Sequence, residues 1–228
     1  MSRDPAAPRR VLLFGKVPRP GETKTRLAPA LGDEGAARLY RAFLEDTIRL
    51  ARASGADEVE LWLAGTEEGI RADAARHPGL TVRRQSGEGL GERLRRAFEK
   101  AFREGAARAA ALGTDHPTLP PGRVDAAFAA LDDVDGVLGP TPDGGYYLVA
   151  LRRSAWPRAE ALFRSIPWSG PDVAATTRER AREAGLEMDE IEAWYDVDEP
   201  AELERLRRDA APGSATARAL ERLGAGRE

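Results

Sequence analysis

The chain of 228 residues contains no cysteine and two histidines, His77 and His116. The lack of cysteine excludes disulfides, thiolate zinc sites and cysteine nucleophiles, and two histidines are too few for a metal site built from several imidazoles. No apolar run approaches the ~20 residues that a membrane-spanning helix needs. Residues 1–10 lack the apolar segment of a signal peptide, so we interpret them as a disordered leader. We therefore expect a cytoplasmic protein.

An excess of charge of either sign is lacking too. Lys and Arg number 35 and Asp and Glu 38, which gives a net charge of −3. This near balance argues against general binding to nucleic acid or to an anionic membrane surface. Because aromatic residues make up only 6% of the chain, the core must rely on Leu, Val and Ala. We predict one domain over residues 11–210 and a C-terminal helix or tail over residues 211–228, and we leave monomer and homodimer open.

Apolar segments alternate with helical patterns along the chain, which predicts an α/β single-domain three-layer sandwich with a mostly parallel twisted sheet. Residues 108–113 are ambiguous, since alanine is the best helix former, but flanking glycines favour a buried strand. The predicted strands are residues 11–15, 59–64, 80–84, 108–113, 136–140, 146–151 and 186–197. The predicted helices are residues 33–54, 67–76, 91–103, 121–131, 156–163, 172–184 and 199–209.

Two of the three lysines lie in one Gly/Pro loop directly after the first predicted strand. In a chain whose other cations are almost all arginine, Lys16 and Lys24 indicate positions that need a compact ammonium. Together with Arg26 they suggest a polyphosphate site, and Gly15 and Gly21 would allow close backbone approach. Ligands of parallel sheets bind beyond the carboxyl ends of the strands, which is where this loop lies. The alternative is an ordinary solvated loop.

Three aspartates are candidate metal ligands. Asp115 ends the predicted central strand, and alternation directs Asp196 and Asp198 to the same side of an extended segment. If Asp115 and Asp198 converge, they form a hard-oxygen site suited to Mg²⁺ or Mn²⁺ bridged by phosphates. The alternatives are that Asp115 caps a turn and that Asp198 is the N-cap of the following helix.

Three further segments could contact substrates. A glycine-rich loop ahead of a helix could bind a nucleotide through Gln85, Gly89 and Gly91. A turn and an aromatic loop could contact the second substrate through Asp143, Gly144, Gly145, Tyr146, Trp168 and Ser169. The glycine-rich loop taken alone is a weak signal, and the alternatives for the other two segments are a plain hairpin turn and a core tryptophan.

Six motifs in order resemble the DUF2064 family of bacterial transferases, often labelled glycosyltransferases, in the nucleotide-diphospho-sugar transferase superfamily. They lie at residues 18–27, 89–94, 113–117, 138–148, 166–169 and 196–200. The string at residues 24–29 is also similar to a loop of 2-phospho-L-lactate guanylyltransferases, which share the superfamily fold with the molybdenum cofactor guanylyltransferases. The resemblance covers nearly the whole chain.

The resemblance implies a GT-A, Rossmann-like fold and a site of defined residues. It implies that Asp115 and Asp198, with Asp196 as a possible third ligand, hold the metal. Lys16, Lys24 and Arg26 would then bind nucleotide phosphates. The Gly-x-Gly-Thr-Arg pattern that many nucleotidyltransferases of the superfamily carry after the first strand is absent.

Three functions are compatible with these residues. The first is nucleotidyl transfer from an NTP to a small phosphorylated or hydroxylated acceptor with pyrophosphate release, for which Lys24, Asp115 and Asp198 would be catalytic. The second is glycosyl transfer from an NDP-sugar, which the family labels favour, although a diphosphate needs fewer cations. The third is a non-catalytic nucleotide-binding module. The expected partners are a nucleotide and a small-molecule acceptor, and neither nucleic acid nor membrane.

Overall fold

Seven strands form one sheet in the computed structural model, which describes residues 8–225. The strands are β1 (Arg9–Lys16), β2 (Glu58–Ala64), β3 (Thr81–Arg84), β4 (Arg108–Gly113), β5 (Gly136–Pro140), β6 (Tyr146–Arg152) and β7 (Met188–Glu190). Their order across the sheet is β3-β2-β1-β4-β6-β5-β7. Within this sheet β6 runs antiparallel to β4 and β5, and the other pairs are parallel. The predicted mostly parallel sheet is confirmed.

Helices cover both faces of the sheet, as predicted. They are α1 (Ala28–Ala53), α2 (Glu67–Arg76), α3 (Leu90–Arg103), α4 (Arg123–Ala130), α5 (Trp156–Ala159), α6 (Val173–Glu183), α7 (Glu202–Asp209) and α8 (Ala215–Ala225). One buried cluster joins the sheet to α1, α4, α7 and α8, and we call this side the α1 layer. The cluster on the other face includes α3, α5 and α6, and we call that side the α3 layer.

The strand β4 occupies the middle of the sheet although its sequence is rich in alanine. Ala109, Ala110 and Ala111 are buried between the two layers, and β4 pairs with β1 on one side and with β6 on the other. Pairing on both sides satisfies its backbone groups and outweighs the helix propensity of alanine. The prediction of a strand at residues 108–113 is confirmed.

Two predicted elements differ from the structure by more than a few terminal residues. The strand expected over residues 186–197 is limited to β7, because Pro140 at the end of β5 has no N–H to extend the ladder. Beyond β7 the segment keeps single hydrogen bonds to β5, such as Trp194 N to Pro140 O at 3.1 Å. The helix expected over residues 156–163 is α5 followed by a 3₁₀ turn, Glu160–Phe163.

Both ends of the domain make ion pairs or hydrogen bonds with the rest of it. β1 begins inside the predicted leader, and the guanidinium of Arg10 is buried beside Glu58 and Glu104. Asp46 of α1 accepts hydrogen bonds from the backbone N–H groups of Ala215 and Thr216, which caps α8. Residues 1–7 of the leader and residues 226–228 of the tail lie outside the described part of the chain.

No helix within residues 8–225 is both long enough and apolar enough to cross a membrane.

A buried carboxylate, Asp135, joins β5 to its neighbours. It accepts hydrogen bonds from Arg152 Nε at 2.9 Å, from Arg158 at 3.1 Å and from the Glu187 N–H at 3.2 Å. Burial alone would raise the pKa of Asp135, but these hydrogen bonds and the two positive charges hold the pKa below its ordinary value of 3.8. The charged form is therefore favoured in the folded state.

We expect Asp135→Asn to lower the free energy of unfolding at pH 7 by about 1–3 kcal/mol, the usual cost of weakening the partner of buried polar groups. Because the pKa is lowered in the folded state, this contribution is complete above the ordinary pKa and is lost as the pH falls through the folded pKa. Urea unfolding at pH 7 and pH 3 should therefore show a smaller difference at pH 3. Asp133→Asn, two residues away and exposed, is the control and should change stability little at either pH.

Candidate active site

A cleft of about 420 Å³ lies at the edge of the sheet where β1, β2 and β4 end and β6 begins. It opens between the α1 layer and the α3 layer and is lined by residues from both. Eight of the residues predicted from the sequence line it: Gly15, Lys16, Lys24, Gln85, Asp115, Tyr146, Ser169 and Asp198.

The ammonium of Lys24 lies between two of the predicted metal ligands. Its Nζ is 2.6 Å from Asp115 Oδ1 and 3.3 Å from Asp198 Oδ1, and the side chain is 5% exposed. The backbone of Lys24 is in the left-handed region, with φ 51° and ψ 44°, which is uncommon for a residue other than glycine. The predicted convergence of the early basic loop with two distant aspartates is present in the structure.

The three charges stabilise one another. Burial alone would lower the pKa of Lys24, but Asp115 and Asp198 outweigh it and the pKa is raised. Protein around Asp115 would raise the pKa of that carboxyl, but the charge and hydrogen bond of Lys24 lower it. The side chain of Asp115 is nevertheless 46% exposed, because it faces the open cleft. The carboxylate is therefore ionised and accessible to a ligand.

Asp198 does not cap the helix that follows it. α7 begins at Glu202, whose side chain accepts hydrogen bonds from the N–H groups of Asp198 and Glu199. The Asp198 carboxylate instead contacts Lys24 and, through Oδ2, accepts a hydrogen bond from Arg26 Nη1 at 3.0 Å. The negative charge of Asp198 therefore faces Lys24 and Arg26 of the loop after β1, which we call the basic loop, at the rim of the cleft.

The segment before Asp198 is fixed to the end of β4. The Val197 N–H donates to Asp115 O at 3.0 Å, and Tyr195 O lies 3.0 Å from Nδ1 of His116. A carbonyl oxygen only accepts, so Nδ1 of His116 carries a proton. Burial lowers the pKa of His116, against the influence of Tyr195, Asp115 and Asp196, so its ring lies neutral in the cleft wall.

Asp196 is separate from the other two aspartates. It contacts neither Asp115 nor Lys24 through a described hydrogen bond, and burial raises its pKa, with Asp143 adding to the effect and His116 opposing it. Among residues 8–225 no group of three His, Cys, Asp or Glu side chains is placed to hold a metal ion. The structure brings Asp115 and Asp198 together on Lys24, and Asp196 as a possible third metal ligand stays a prediction.

That pair fits a magnesium ion. Asp115 and Asp198 present hard oxygen atoms that already converge on one cation, the ammonium of Lys24. Mg²⁺ is typically bound by one or two carboxylates together with substrate phosphates and water. Two carboxylates beside a basic loop match this pattern.

Tyr40 lines the cleft, and the sequence did not indicate it. Its hydroxyl accepts from the Lys16 N–H at 2.9 Å and lies 2.7 Å from Thr114 Oγ1. Through these two contacts the Tyr40 hydroxyl joins the end of β1 to the residue that follows β4, close to Lys24. A Cβ at Gly15 would lie 3.0–3.2 Å from the Thr114 and Tyr40 hydroxyls and from Leu44, so a larger residue there would have to displace these side chains slightly. Only the helical position of Tyr40 could have given a signal, and core packing explains that position equally well.

Several predicted contacts lie outside the cleft lining. Gly91 allows α3 to pack on the aromatic loop, since a Cβ there would lie 2.4 Å from Phe163 O and 2.7 Å from Trp168 Nε1. Trp168 in turn packs edge-on against Tyr146, with ring centroids 6.2 Å apart. Both positions are explained by packing. The other predicted residues outside the lining are Gly21, Arg26, Gly89, Asp143, Gly144, Gly145 and Asp196.

The turn after β5 is closed by its own residues. Asp143 accepts hydrogen bonds from the Thr141 hydroxyl and from the Gly145 N–H. Gly144 has φ 90°, and a Cβ there would lie 1.8 Å from Pro171 O, so only glycine fits. The turn therefore positions Tyr146, which lies in the cleft, and Asp143 acts within the turn.

A larger groove of about 650 Å³ lies beside β3 and α3. Its arginines are mostly paired with glutamates, for example Arg83 with Glu60 at 3.0 Å and Arg95 with Glu160 at 3.1 Å. The smaller cleft is the better candidate for the active site, because it lies at the carboxyl ends of the parallel strands β1, β2 and β4 and contains the half-exposed carboxylate of Asp115.

Known proteins are similar to this chain in sequence and in fold. The family model described as "Uncharacterized protein conserved in bacteria (DUF2064)" matches residues 47–170. A phosphoenolpyruvate guanylyltransferase from Sphaerobacter thermophilus is 28% identical over 204 residues, which cover 88% of this chain and 94% of that protein.

Two solved structures are similar to this chain in fold. A protein of Desulfovibrio desulfuricans G20, classed provisionally as a nucleotide-diphospho-sugar transferase, is 32% identical with a TM-score of 0.87 over 95% of each chain. Rv0371c of Mycobacterium tuberculosis H37Rv, in complex with manganese, is 16% identical with a TM-score of 0.55 over 87% of this chain and 97% of that one, which supports the fold. The predicted fold and the predicted class, a transferase that uses a nucleotide substrate, are confirmed.

Proposed function

Because this chain belongs to the DUF2064 family, we propose that it is a metal-dependent nucleotidyltransferase that moves a nucleoside monophosphate from an NTP to a small phosphorylated or hydroxylated acceptor. The observation that carries the proposal is the convergence of Asp115 and Asp198 on Lys24 at the carboxyl edge of the sheet. Such an edge is where ligands of parallel α/β sheets bind.

The reaction has one bond-making and one bond-breaking event. An acceptor oxygen attacks the α-phosphorus of the NTP, and the bond from that phosphorus to the bridging oxygen of the β-phosphate breaks, so that pyrophosphate leaves. Phosphoryl-type transfers of this kind depend on positioning and on electrostatic stabilisation, and need no protein nucleophile. A chain without cysteine is compatible with that requirement.

The basic loop would bind the leaving group. Asp198 contacts Lys24 and Arg26, and Lys16 lines the same cleft, so the cations of this loop are already close to where the phosphates would bind. Positive charges placed there would stabilise the negative charge that develops on the leaving pyrophosphate.

Asp115 and Asp198 would hold the metal through their carboxylate oxygens. A bound Mg²⁺ or Mn²⁺ supplies positive charge that neutralises phosphate oxygens. For both carboxylates to reach it, the ammonium of Lys24 must move off them, and the phosphates of the nucleotide offer it a new partner. Lys24 would then contact phosphate in the loaded enzyme and carboxylate in the free one.

Glycosyl transfer from an NDP-sugar is the second candidate, because the Desulfovibrio relative is classed with the nucleotide-diphospho-sugar transferases. Nucleotidyl transfer is favoured by the number of cations in the cleft and by the activity in the name of the guanylyltransferase relative.

Product analysis separates the two candidates. With Mg²⁺ and an NTP we expect pyrophosphate release that depends on acceptor, with phosphoenolpyruvate as the first acceptor to test, and no NDP release from nucleotide sugars. A chelator should abolish the release. Free NDP formed from a nucleotide sugar, without pyrophosphate formed from any NTP, would contradict nucleotidyl transfer. Nucleotide binding without turnover of either substrate would indicate a binding module.

A further inference from the structure

The cleft lies where β1 and β4 stop pairing. The ladder between these strands ends at the pair formed by Phe14 and Gly113. Two residues further along each chain are Lys16 and Asp115, both of which line the cleft. The proposed function assigns the first to the phosphates and the second to the metal. The separation between them is therefore set beyond the end of the backbone ladder, by the groups that hold the two strand ends.

The backbone N–H of Lys16 points toward β4 but donates to a side chain. Successive N–H groups of a strand point to opposite neighbours, and the N–H of Val17 donates to Ala64 O of β2 at 2.9 Å, so the N–H of Lys16 faces the side of β4. Its acceptor there is the hydroxyl of Tyr40, at 2.9 Å. A tyrosine of α1 thus takes the place that a carbonyl oxygen would occupy in a continued ladder.

The hydroxyls of Tyr40 and Thr114 form a hydrogen-bonded chain whose direction is fixed. Thr114 Oγ1 lies 3.2 Å from Phe14 O, and because a carbonyl oxygen only accepts, Thr114 donates this bond. Its proton is then used, so Thr114 Oγ1 accepts from the Tyr40 hydroxyl, 2.7 Å away. Burial raises the pKa of Tyr40, which keeps that proton in place. One chain of donors therefore runs from the end of β1 through both hydroxyls and back to β1.

We propose that Tyr40 is a positioning residue of the active site, whose hydroxyl sets the separation between Lys16 and Asp115. This inference rests on the proposed function, in which one metal-bound triphosphate meets the cations after β1 and the carboxylate after β4 together. Tyr40 reaches Lys16 directly, and it reaches Asp115 through the adjacent Thr114. It acts through these residues and not on the reacting atoms.

Packing of the aromatic ring is the alternative role of Tyr40. The ring packs edge-on against Phe43, with centroids 6.4 Å apart, and lies 5.9 Å from the ammonium of Lys24. Tyr40→Phe keeps the ring in place for both contacts and removes only the hydroxyl. Tyr40 and Thr114 are 3% and 1% exposed, so bulk water does not readily replace the lost bonds. This variant therefore separates positioning from packing.

Two binding measurements without turnover test the positioning. Calorimetry with a preformed complex of Mg²⁺ and inorganic tripolyphosphate measures a ligand that spans both strand ends. We expect Tyr40→Phe to bind this complex at least about tenfold more weakly than wild type, because a contact to a charged group corresponds to roughly 10- to 150-fold in affinity. Pyrophosphate release should fall about 10- to 100-fold, as expected when reacting groups are displaced by up to about 1 Å.

Electron paramagnetic resonance with Mn²⁺ alone measures only the carboxylate side. Asp115 is also held by the Val197 N–H, which donates to its backbone oxygen at 3.0 Å, so the pair with Asp198 does not depend on the hydroxyl. Tyr40→Phe should therefore keep its Mn²⁺ affinity within about threefold of wild type. Partial unfolding would instead lower the number of sites for both ligands alike, and a thermal melt checks for it.

Variants of Thr114 test the same chain from its other end. Thr114→Val should weaken the preformed complex and spare Mn²⁺, whereas Thr114→Ser, which keeps the hydroxyl, should bind both as wild type does. Combining Thr114→Val with Tyr40→Phe should add no more than about threefold to the loss in Tyr40→Phe, because both break one chain. Thr47→Val, also on α1, removes a buried hydroxyl that donates to Phe43 O at 2.8 Å. It is the matched control and should change neither affinity.

The failures of the two proposals can be told apart. If Tyr40→Phe binds the preformed complex and releases pyrophosphate as wild type does, the positioning inference is wrong and the proposed function stands. An equal loss of affinity for the complex and for Mn²⁺ alone would also overturn the inference, since the hydroxyl would then support the carboxylates only. If wild-type protein neither binds the complex nor releases pyrophosphate from any NTP, the proposed function fails, and the inference fails with it.

Discussion

Lys24→Met should raise the affinity of the nucleotide-free protein for Mn²⁺ at least tenfold while lowering the rate of pyrophosphate release about 100-fold. The ammonium of Lys24 now neutralises the carboxylates of Asp115 and Asp198 at 2.6 and 3.3 Å. Two unit charges about 4 Å apart interact by roughly 4 kcal/mol at an effective dielectric constant of about 20, so even a fraction of this energy accounts for a tenfold change. Electron paramagnetic resonance of Mn²⁺ measures the affinity without any turnover.

The activity loss has a separate cause. In the proposed reaction Lys24 donates to the leaving pyrophosphate, and removal of one such oriented donor typically costs about 10²–10³-fold in rate. Metal affinity and turnover would therefore change in opposite directions, which simple loss of folded protein cannot produce.

Lys16→Met is the matched control, because Lys16 lines the same cleft but makes no ion pair with the described carboxylates. It removes the same charge from the cleft and should leave Mn²⁺ affinity within about threefold of wild type, since the unpaired charge lies in solvent. Equal gains in the two variants would mean that net charge, and not the position of Lys24, controls metal binding. No gain in Lys24→Met would remove Asp115 and Asp198 as the metal site.

Asp115→Asn should lower the rate of pyrophosphate release about 100-fold or more and abolish the shift in melting temperature that Mg²⁺ produces with NTP. The amide keeps the shape of the side chain but loses the charge that a hard cation needs. The backbone carbonyl of Asp115, which accepts from the Val197 N–H, is unchanged, so the site should keep its framework. Release of pyrophosphate is followed with a coupled phosphate assay.

Asp198→Asn should behave in the same way, and Asp196→Asn should retain most activity, since Asp196 is separate from the pair. These variants lie two positions apart on one segment, so they share its local structure. A larger effect at Asp196 than at Asp198 would show that the metal uses the aspartate with the raised pKa and that the arrangement around Lys24 is a structural ion pair.

The fold was largely predictable because its signals are local. Apolar segments that alternate with helical patterns, and glycines that end those patterns, predicted β5 and α2 at the residues where they occur. The strand expected over residues 186–197 was overextended, because its length depends on the backbone of β5, where Pro140 ends the ladder. Apolar alternation in the segment reflects burial of Tyr195 and Val197 under the α1 layer and not strand pairing.

The site was predictable where topology alone brings residues together. Strands that run in parallel end at one edge, so Asp115 and the loop carrying Lys24 had to be neighbours. Gly91 carried the same sequence signal as a ligand-binding glycine, but its neighbours Phe163 and Trp168 come from a distant segment and give it a packing role. Arg93 is one of 32 arginines in a chain with 3 lysines, and only its place in the lining of the cleft, which the sequence does not show, distinguishes it.

The ammonium of Lys24 between Asp115 and Asp198 determines how the charge balance of this site depends on divalent ions. A carboxylate pair that depended on a divalent ion for its charge balance would become repulsive whenever the ion was stripped away, and the surrounding loops would loosen. Here the counter-charge is covalently attached to the chain and cannot diffuse off. The charges of Asp115 and Asp198 are therefore balanced within the chain itself, and this part of the fold needs no bound divalent ion to avoid their repulsion.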